Sequence, residues 1–287
     1  MNLRDRVERA LAHDVASISP LTGGCVAQVA RVDLRGGDPV VVKWGQGAGV
    51  RLDVEAFMLR LLGEHLPTLV PRVLHDDADL LIMSHIENDG GRSDAGMMEL
   101  GEALGRLHGV RGPAFGLEQE TLIGPLPLPN PWGDSWTEFF GEHRLRAMAR
   151  GAHEAGRLGA SDRSRVDRLC ERLGDLLGEE HTPTLVHGDL WSGNVLWRGG
   201  SLAGVIDPGS YFGVGEVDLA MMDLFGGFSR AFWERYAEVR GGSEAAWEGF
   251  WGVRREVYQL FPLLVHARLF GGGYVGQVRR TLDRLVG

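Results

Sequence analysis

The sequence predicts an α+β fold in two lobes: a small lobe of antiparallel β-strands with one helix, then a larger and mostly helical lobe. Three features of the chain point there. Over residues 18–83 the apolar residues fall in short β-rich runs, cut by Gly-Gly, Arg-Gly-Gly-Asp and Asp-Asp turn signals. Beyond residue 90 they recur at helical spacing instead. A single β-rich island, Thr184 to Asp207, interrupts the helical part. The expected boundaries are 1–84 for the first lobe, 85–90 for a hinge and 91–287 for the second lobe.

Element by element, Leu3, Val7, Ala10 and Leu11 make one apolar face, so Leu3 to His13 reads as a helix opened by Asn2. Strands are expected at Cys25 to Leu34, Pro39 to Trp44 and Leu80 to Ser84. The helix between them, Leu52 to Leu62, carries Val54, Phe57, Met58, Leu61 and Leu62, and Pro67 and Pro71 follow its end. Later helices are expected at Met97 to Leu107, Trp136 to Met148, Val166 to Leu177, Val217 to Phe225, Phe232 to Val239, Trp247 to Leu264 and Val275 to Val286. Proline at every second position, from Pro125 to Pro131, makes Leu122 to Trp132 read as an extended loop.

The chain has 287 residues, 44% of them apolar and 24% charged, which fits a folded globular protein rather than a disordered one. With 30 Lys plus Arg against 39 Asp plus Glu the net charge is −9, and there is no basic block, so nucleic acid is not an expected partner. No stretch approaches the ~20 apolar residues of a spanning helix, so no membrane segment or signal peptide is expected. Cys25 and Cys170 are too few for a disulfide framework. A cytoplasmic location is the expectation. All but one of the 30 cations are arginine, as a GC-rich genome would give; the exception is Lys43.

The island contains Asp189, Asn194 and Asp207, each at the edge of an apolar run that would be a buried strand. Phosphoryl transfer from a nucleotide needs a carboxylate to orient the attacking hydroxyl and oxygen ligands to hold Mg²⁺ on the phosphates. An Asp, an Asn five residues on and an Asp closing the next hairpin match the spacing of a kinase catalytic loop. Such a site also needs a cation on the phosphates, held by a carboxylate from a nearby helix. Lys43 ends the run Val40-Val41-Val42, and Glu55 lies within the next helix. Gly23 and Gly24 lie between two strand-like runs, where a backbone loop could close over phosphates or simply turn. Gly45, Gly47 and Gly49 imitate a dinucleotide fingerprint, but Val50 stands where its last glycine should be. A Walker loop fails because Trp44, not Ser or Thr, follows Lys43.

At these residues the sequence resembles the fructosamine kinase (ketosamine 3-kinase) family, a branch of the aminoglycoside phosphotransferase and choline kinase type of protein-kinase-like fold. The most specific stretch is His187-Gly188-Asp189-Leu190-Trp191-Ser192-Gly193-Asn194. Similar segments run through the chain: Phe115-Gly116 to Ile123-Gly124, Asn130-Pro131-Trp132 with Asp134 and Trp136, Phe139-Phe140 with Arg144-Leu145, and Asp207-Pro208 through Tyr211, Gly213, Glu216 and Asp218. Phe225-Gly226-Gly227-Phe228 and His266 with Phe270-Gly271 complete them.

The resemblance implies ATP-dependent phosphorylation of the 3-hydroxyl of a ketosamine, a fructosamine or ribulosamine, as a step in deglycation. It implies Asp189 as catalytic base, Asn194 and Asp207 as Mg²⁺ ligands, Lys43 with Glu55 on the phosphates, and adenine against the backbone of Met83, Ser84, His85 and Ile86. Relatives commonly carry an acidic residue where this chain has Ser84, and often Gln where it has Leu128. At an ordinary carboxylate pKa near 4, Asp189 would already be ionised at neutral pH. A polyol bearing a secondary ammonium suits a pocket of carboxylates and aromatic faces, for which Trp132, Asp134, Trp191, Tyr211, Glu216 and His266 are candidates. Trp136 is expected as packing, Asp218 as a brace of the catalytic loop and His187 as its supporting core histidine. Cys25 is either an exposed thiol whose oxidation would block the phosphate loop, or a small residue in a turn. The competing functions are a kinase of the same fold acting on an aminoglycoside, choline or another small alcohol, and a nucleotide-binding pseudokinase serving as an interaction module.

Overall fold

The structure, a computed structural model, describes residues 2–21, 27–45, 47, 50–241 and 244–287. Helix α1 (Leu3–Leu11) is capped by Asn2, whose side chain accepts the Asp5 N–H, and ends where Ala12 turns left-handed at φ 54°. Strands β1 (Val15–Pro20), β2 (Gln28–Leu34) and β3 (Val40–Trp44) follow, then helix α2 (Leu52–Gly63) and strands β4 (Val73–Asp77) and β5 (Leu80–Ser84). They form one antiparallel sheet in the order β1-β2-β3-β5-β4. Alternation along β3 turns Val40 and Val42 to the outer face, where they pack with Val7 of α1, Leu80 and Ile82. Val41 and Lys43 point the other way, toward α2. The phase of one apolar run thus aims the single lysine inward.

The second part opens with α3 (Asp94–Leu107), capped by Ser93, and a short hairpin of β6 (Thr121–Ile123) and β7 (Leu126–Leu128). Helix α4 (Trp136–Phe140) continues through a π-turn at Gly141–Arg146 into α5 (Ala147–Glu154), followed by α6 (Ala160–Cys170) and α7 (Leu173–Leu177). The island becomes β8 (Thr184–Val186) and the hairpin β9 (Val195–Arg198) and β10 (Ser201–Val205); β11 (Tyr211–Gly213) returns to pair with β8. Helices α8 (Glu216–Phe225), α9 (Arg230–Arg240), α10 (Glu244–Gly249), α11 (Arg255–Phe270) and α12 (Gly273–Val286) finish the chain. No helix among the described residues is long and apolar enough to cross a membrane.

The expected two-part α+β architecture is the one observed, with three local differences. Edge strands β1 and β4 join the sheet, although β4 ends in the Asp76-Asp77 pair that reads as a turn. The proline-rich stretch is a hairpin rather than a loop, because Pro127 sits in a two-stranded sheet where its missing N–H breaks no interior ladder. Two expected helices are interrupted, the one over Val166 to Leu177 between α6 and α7 and the one over Trp247 to Leu264 at Gly252, whose backbone leaves the helical region between α10 and α11.

Candidate active site

Lys43 reaches from β3 across the cleft between the lobes. Its Nζ donates to Glu55 Oε1 of α2 at 2.6 Å and to Asp207 Oδ1 at 2.5 Å. Burial alone would lower the pKa of this ammonium, but Glu55 and Asp207 outweigh it and raise the Lys43 pKa well above the ordinary lysine value. Glu55 is itself pushed up by burial, which the neighbouring ammonium only partly offsets. Asp207 follows β10 in a left-handed conformation at φ 56°, unusual for a residue with a side chain.

Asp189 lies on the loop after β8. Burial, with the carboxylates of Asp207 and Asp218, pushes its pKa up to about 7, against a favourable hydrogen bond from Asn194. The ordinary value expected from sequence is therefore corrected, since composition reveals neither the burial nor the two nearby charges. Asn194, buried at the end of a short 3₁₀ turn, donates its amide N–H to the Asp189 carbonyl at 2.8 Å. That leaves the amide oxygen as the end available to a cation.

The loop is held from below. Asp218 of α8 accepts the backbone N–H groups of His187 and Gly188, both at 2.8 Å, and the ring of His108 at 3.0 Å. His187 accepts the Asp189 N–H through Nδ1 and meets the Ile206 carbonyl through Nε2 at 3.1 Å. Gly188 has φ 83°, and a Cβ there would come within 2.1 Å of the Gly209 carbonyl, so only glycine fits. His108 was not singled out by sequence; its one signal is a polar residue closing the apolar helix α3, against Tyr236 Oη at 2.7 Å.

Lys43, Glu55, Asp189, Trp191, Asn194 and Asp207 line one cleft of about 220 Å³. Arg51, Leu122, Gly124 and Pro208 line it too; none was a site candidate from sequence, where Gly124 and Pro208 appeared only within the segments that resemble the family. The Trp191 indole lies over Gly193, where a Cβ would come within 2.3 Å of the ring. Its ring meets Phe225 at 6.4 Å, and Phe225 meets His266 at 4.9 Å, so His266 is linked to the cleft through aromatics.

Other candidates lie elsewhere. Tyr211 is a core residue, 1% exposed, with the Arg144 guanidinium 3.9 Å above its ring. Glu216 starts α8 and is paired with Arg254 at 2.8 Å, beside a different cavity. Neither reaches the cleft. Trp132 is exposed and stacked on Phe212, and Asp134 is exposed; both fall outside the cleft lining. At the hinge, Met83 is buried, the Ser84 N–H donates to the Arg72 carbonyl and Ser84 Oγ accepts the Arg72 N–H. The His85 N–H goes to the Pro39 carbonyl and the Ile86 carbonyl accepts from Asn88. These four residues do not line the described cavity. Gly23, Gly24 and Cys25 are outside the described residues.

A family model described as Fructosamine kinase matches residues 4–287. A Synechocystis protein named "Probable ketoamine kinase" is 36% identical over 92% of this chain and 88% of its own. Protein-ribulosamine 3-kinase, chloroplastic, of Arabidopsis thaliana is 29% identical over 95% of this chain and 83% of its own. A crystal structure from Thermobifida fusca, provisionally named fructosamine-3-kinase, superposes with a TM-score of 0.90 at 31% identity, covering 99% of this chain and 98% of that one. Matched from end to end in sequence and in fold, the chain belongs to the fructosamine kinase family.

Proposed function

We propose that the chain is an ATP-dependent kinase that phosphorylates the 3-hydroxyl of a ketosamine, with Asp189 as the catalytic base. The observation that carries this is the single cleft that joins Lys43, paired with Glu55, to Asp189, Asn194 and Asp207. Lys43 would hold the nucleotide phosphates while the adenine lies toward the hinge at residues 83–86. The substrate hydroxyl oxygen attacks the terminal phosphorus as the bond to the departing ADP breaks, and the hydroxyl proton passes to Asp189. A base near pH 7 suits that transfer, which comes late in a loose transition state.

The residues fit Mg²⁺. Its ligands should be hard oxygens, and Asn194 and Asp207, which both line the cleft, would offer an amide oxygen and a carboxylate. Two protein oxygens are what a cation completed by phosphates and water requires, and bound there it would neutralise charge on the phosphates. Trp191 offers the aromatic face for the substrate's ammonium.

Turnover of fructosamine and ribulosamine substrates, free and on protein, beside aminoglycosides and choline tests the reading. Ketosamine turnover is expected, and turnover of an aminoglycoside or choline alone would replace it. Asp189→Asn should bind ATP nearly normally and lose turnover; a fully active variant would remove Asp189 as the base and a wild type that binds ATP without any turnover would favour an interaction module.

A further inference from the structure

We infer that Arg144 and Asn130 form a buried clamp that positions the substrate-facing wall of the cleft, as positioning residues for the proposed reaction. The wall is the β6–β7 hairpin. Leu122 and the tip residue Gly124 line the cleft with Asp189 and Trp191, and the Leu122 carbonyl packs against Gly209, just beyond Asp207 and Pro208. A hydroxyl presented to Asp189 would lie beside this hairpin.

Arg144 is fully buried in the π-turn between α4 and α5, and among the described residues no ion pair includes it and its Nε has no hydrogen-bond partner. A buried cation without a counter-ion is costly unless neighbouring dipoles replace its water. Here Nη2 donates to Asn130 Oδ1 at 2.6 Å and Nη1 to the Pro129 carbonyl at 2.9 Å, while Tyr211 and Phe139 present ring faces at 3.9 and 4.7 Å. Two of its partners are thus the residues that leave β7.

Asn130 passes the restraint on. Its Nδ2 donates to Thr121 Oγ1 at 2.9 Å and to the Gln119 carbonyl at 3.1 Å, and its own carbonyl accepts the Leu117 N–H at 3.0 Å. Both ends of the hairpin are therefore fixed to one planar guanidinium. An aspartate at position 130 would suit the Arg144 charge but could not donate to two acceptors, which accounts for the amide. A π-turn places Arg144 at the required angle, and such turns are frequent at functional sites.

The inference rests on the kinase reading, and the wild type is assayed first so that the two can fail separately. If the wild type turns over no alcohol at all, the kinase reading fails; if it does, the clamp is tested on whichever acceptor it uses. Thr121→Val, Asn130→Asp and Arg144→Lys should each lower kcat/KM for the acceptor by roughly tenfold or more, because small displacements of a positioned reactant are costly. The KM for ATP should stay within about twofold in each. Thr121→Ser, which keeps the hydroxyl, should behave as wild type. Thr121→Val is the smallest change and keeps the test open if the Arg144 variant does not fold. Parallel losses for acceptor and ATP, an unchanged acceptor kcat/KM in Thr121→Val, or a Thr121→Ser variant as impaired as Thr121→Val would each overturn the clamp.

Discussion

Lys43 is the residue at which composition and geometry meet. A chain that otherwise uses arginine for its cations keeps one ammonium at the point where Glu55 and Asp207 converge on a single Nζ at 2.6 and 2.5 Å. A guanidinium is longer, planar and forked, so it cannot place its charge at that point without moving α2 or the Asp207 loop. Lys43→Arg should therefore lower kcat/KM for ATP on the order of 100-fold while the thermal midpoint stays near wild type. Steady-state kinetics beside a melting curve decide it, and an Arg variant with wild-type kinetics would make the lone lysine a chance survivor of composition. That Lys43, Glu55, Asp189, Asn194 and Asp207 would come together in one cleft was legible in the sequence, because each is a polar residue set in or beside an apolar run at kinase-like spacing. Tyr211 and Glu216 were misread because residue type says nothing about direction: one strand turns Tyr211 onto Arg144, and one helix end turns Glu216 onto Arg254.

Between single residues and the whole chain, short elements are held by polar braces that hydrophobic patterning does not reveal. The loop that carries Asp189 hangs on α8 through Asp218, where burial disfavours the charge, but hydrogen bonds from His108 and the Gly188 N–H, with the nearby His187, outweigh it and hold the carboxyl below its ordinary value. A depressed folded-state pKa contributes stability that is present in full above the unfolded value near 4 and lost as pH falls through the folded value. Asp218→Asn puts an amide where two backbone donors already point and should cost on the order of 3 kcal/mol at pH 7. That gap should narrow below about pH 4, as the wild-type carboxyl protonates. Urea unfolding of both proteins at pH 7, 5 and 3 measures it; a gap that does not change with pH would show that Asp218 acts through packing rather than charge. The loop itself was readable, whereas β1, β4 and the β6–β7 hairpin were not. Edge strands and two-stranded pairs tolerate Asp and Pro, the residues that sequence reading takes as turns.

At the scale of the molecule, the two lobes share one core. Ala56, Leu59 and Leu62 of α2 belong with Leu81 and Met83 to the same hydrophobic cluster as the helical lobe, and among the described residues only the face of the sheet under α1 has a cluster of its own. A backbone bond crosses as well, the Val205 N–H donating to the Leu69 carbonyl at 2.7 Å, and the hinge is tied to the second lobe by the Asp89 N–H on the Trp197 carbonyl at 2.9 Å. The change of periodicity near residue 90 revealed that there were two lobes, but not that their interface is continuous with the interior, because the contacts join residues distant in sequence. A continuous core predicts that both lobes unfold together. Of the 8 tryptophans only Trp44 lies in the sheet lobe, so tryptophan fluorescence reports mainly on the helical lobe, while far-ultraviolet circular dichroism reports on both. The two signals should give one coincident transition. If ATP with Mg²⁺ binds between the lobes as proposed, it should shift that whole transition, by about 2.7 kcal/mol at a hundred times its Kd. Two separate midpoints, with nucleotide moving only one of them, would mean that the shared cluster does not couple the lobes and that the cleft is built by two independently stable parts.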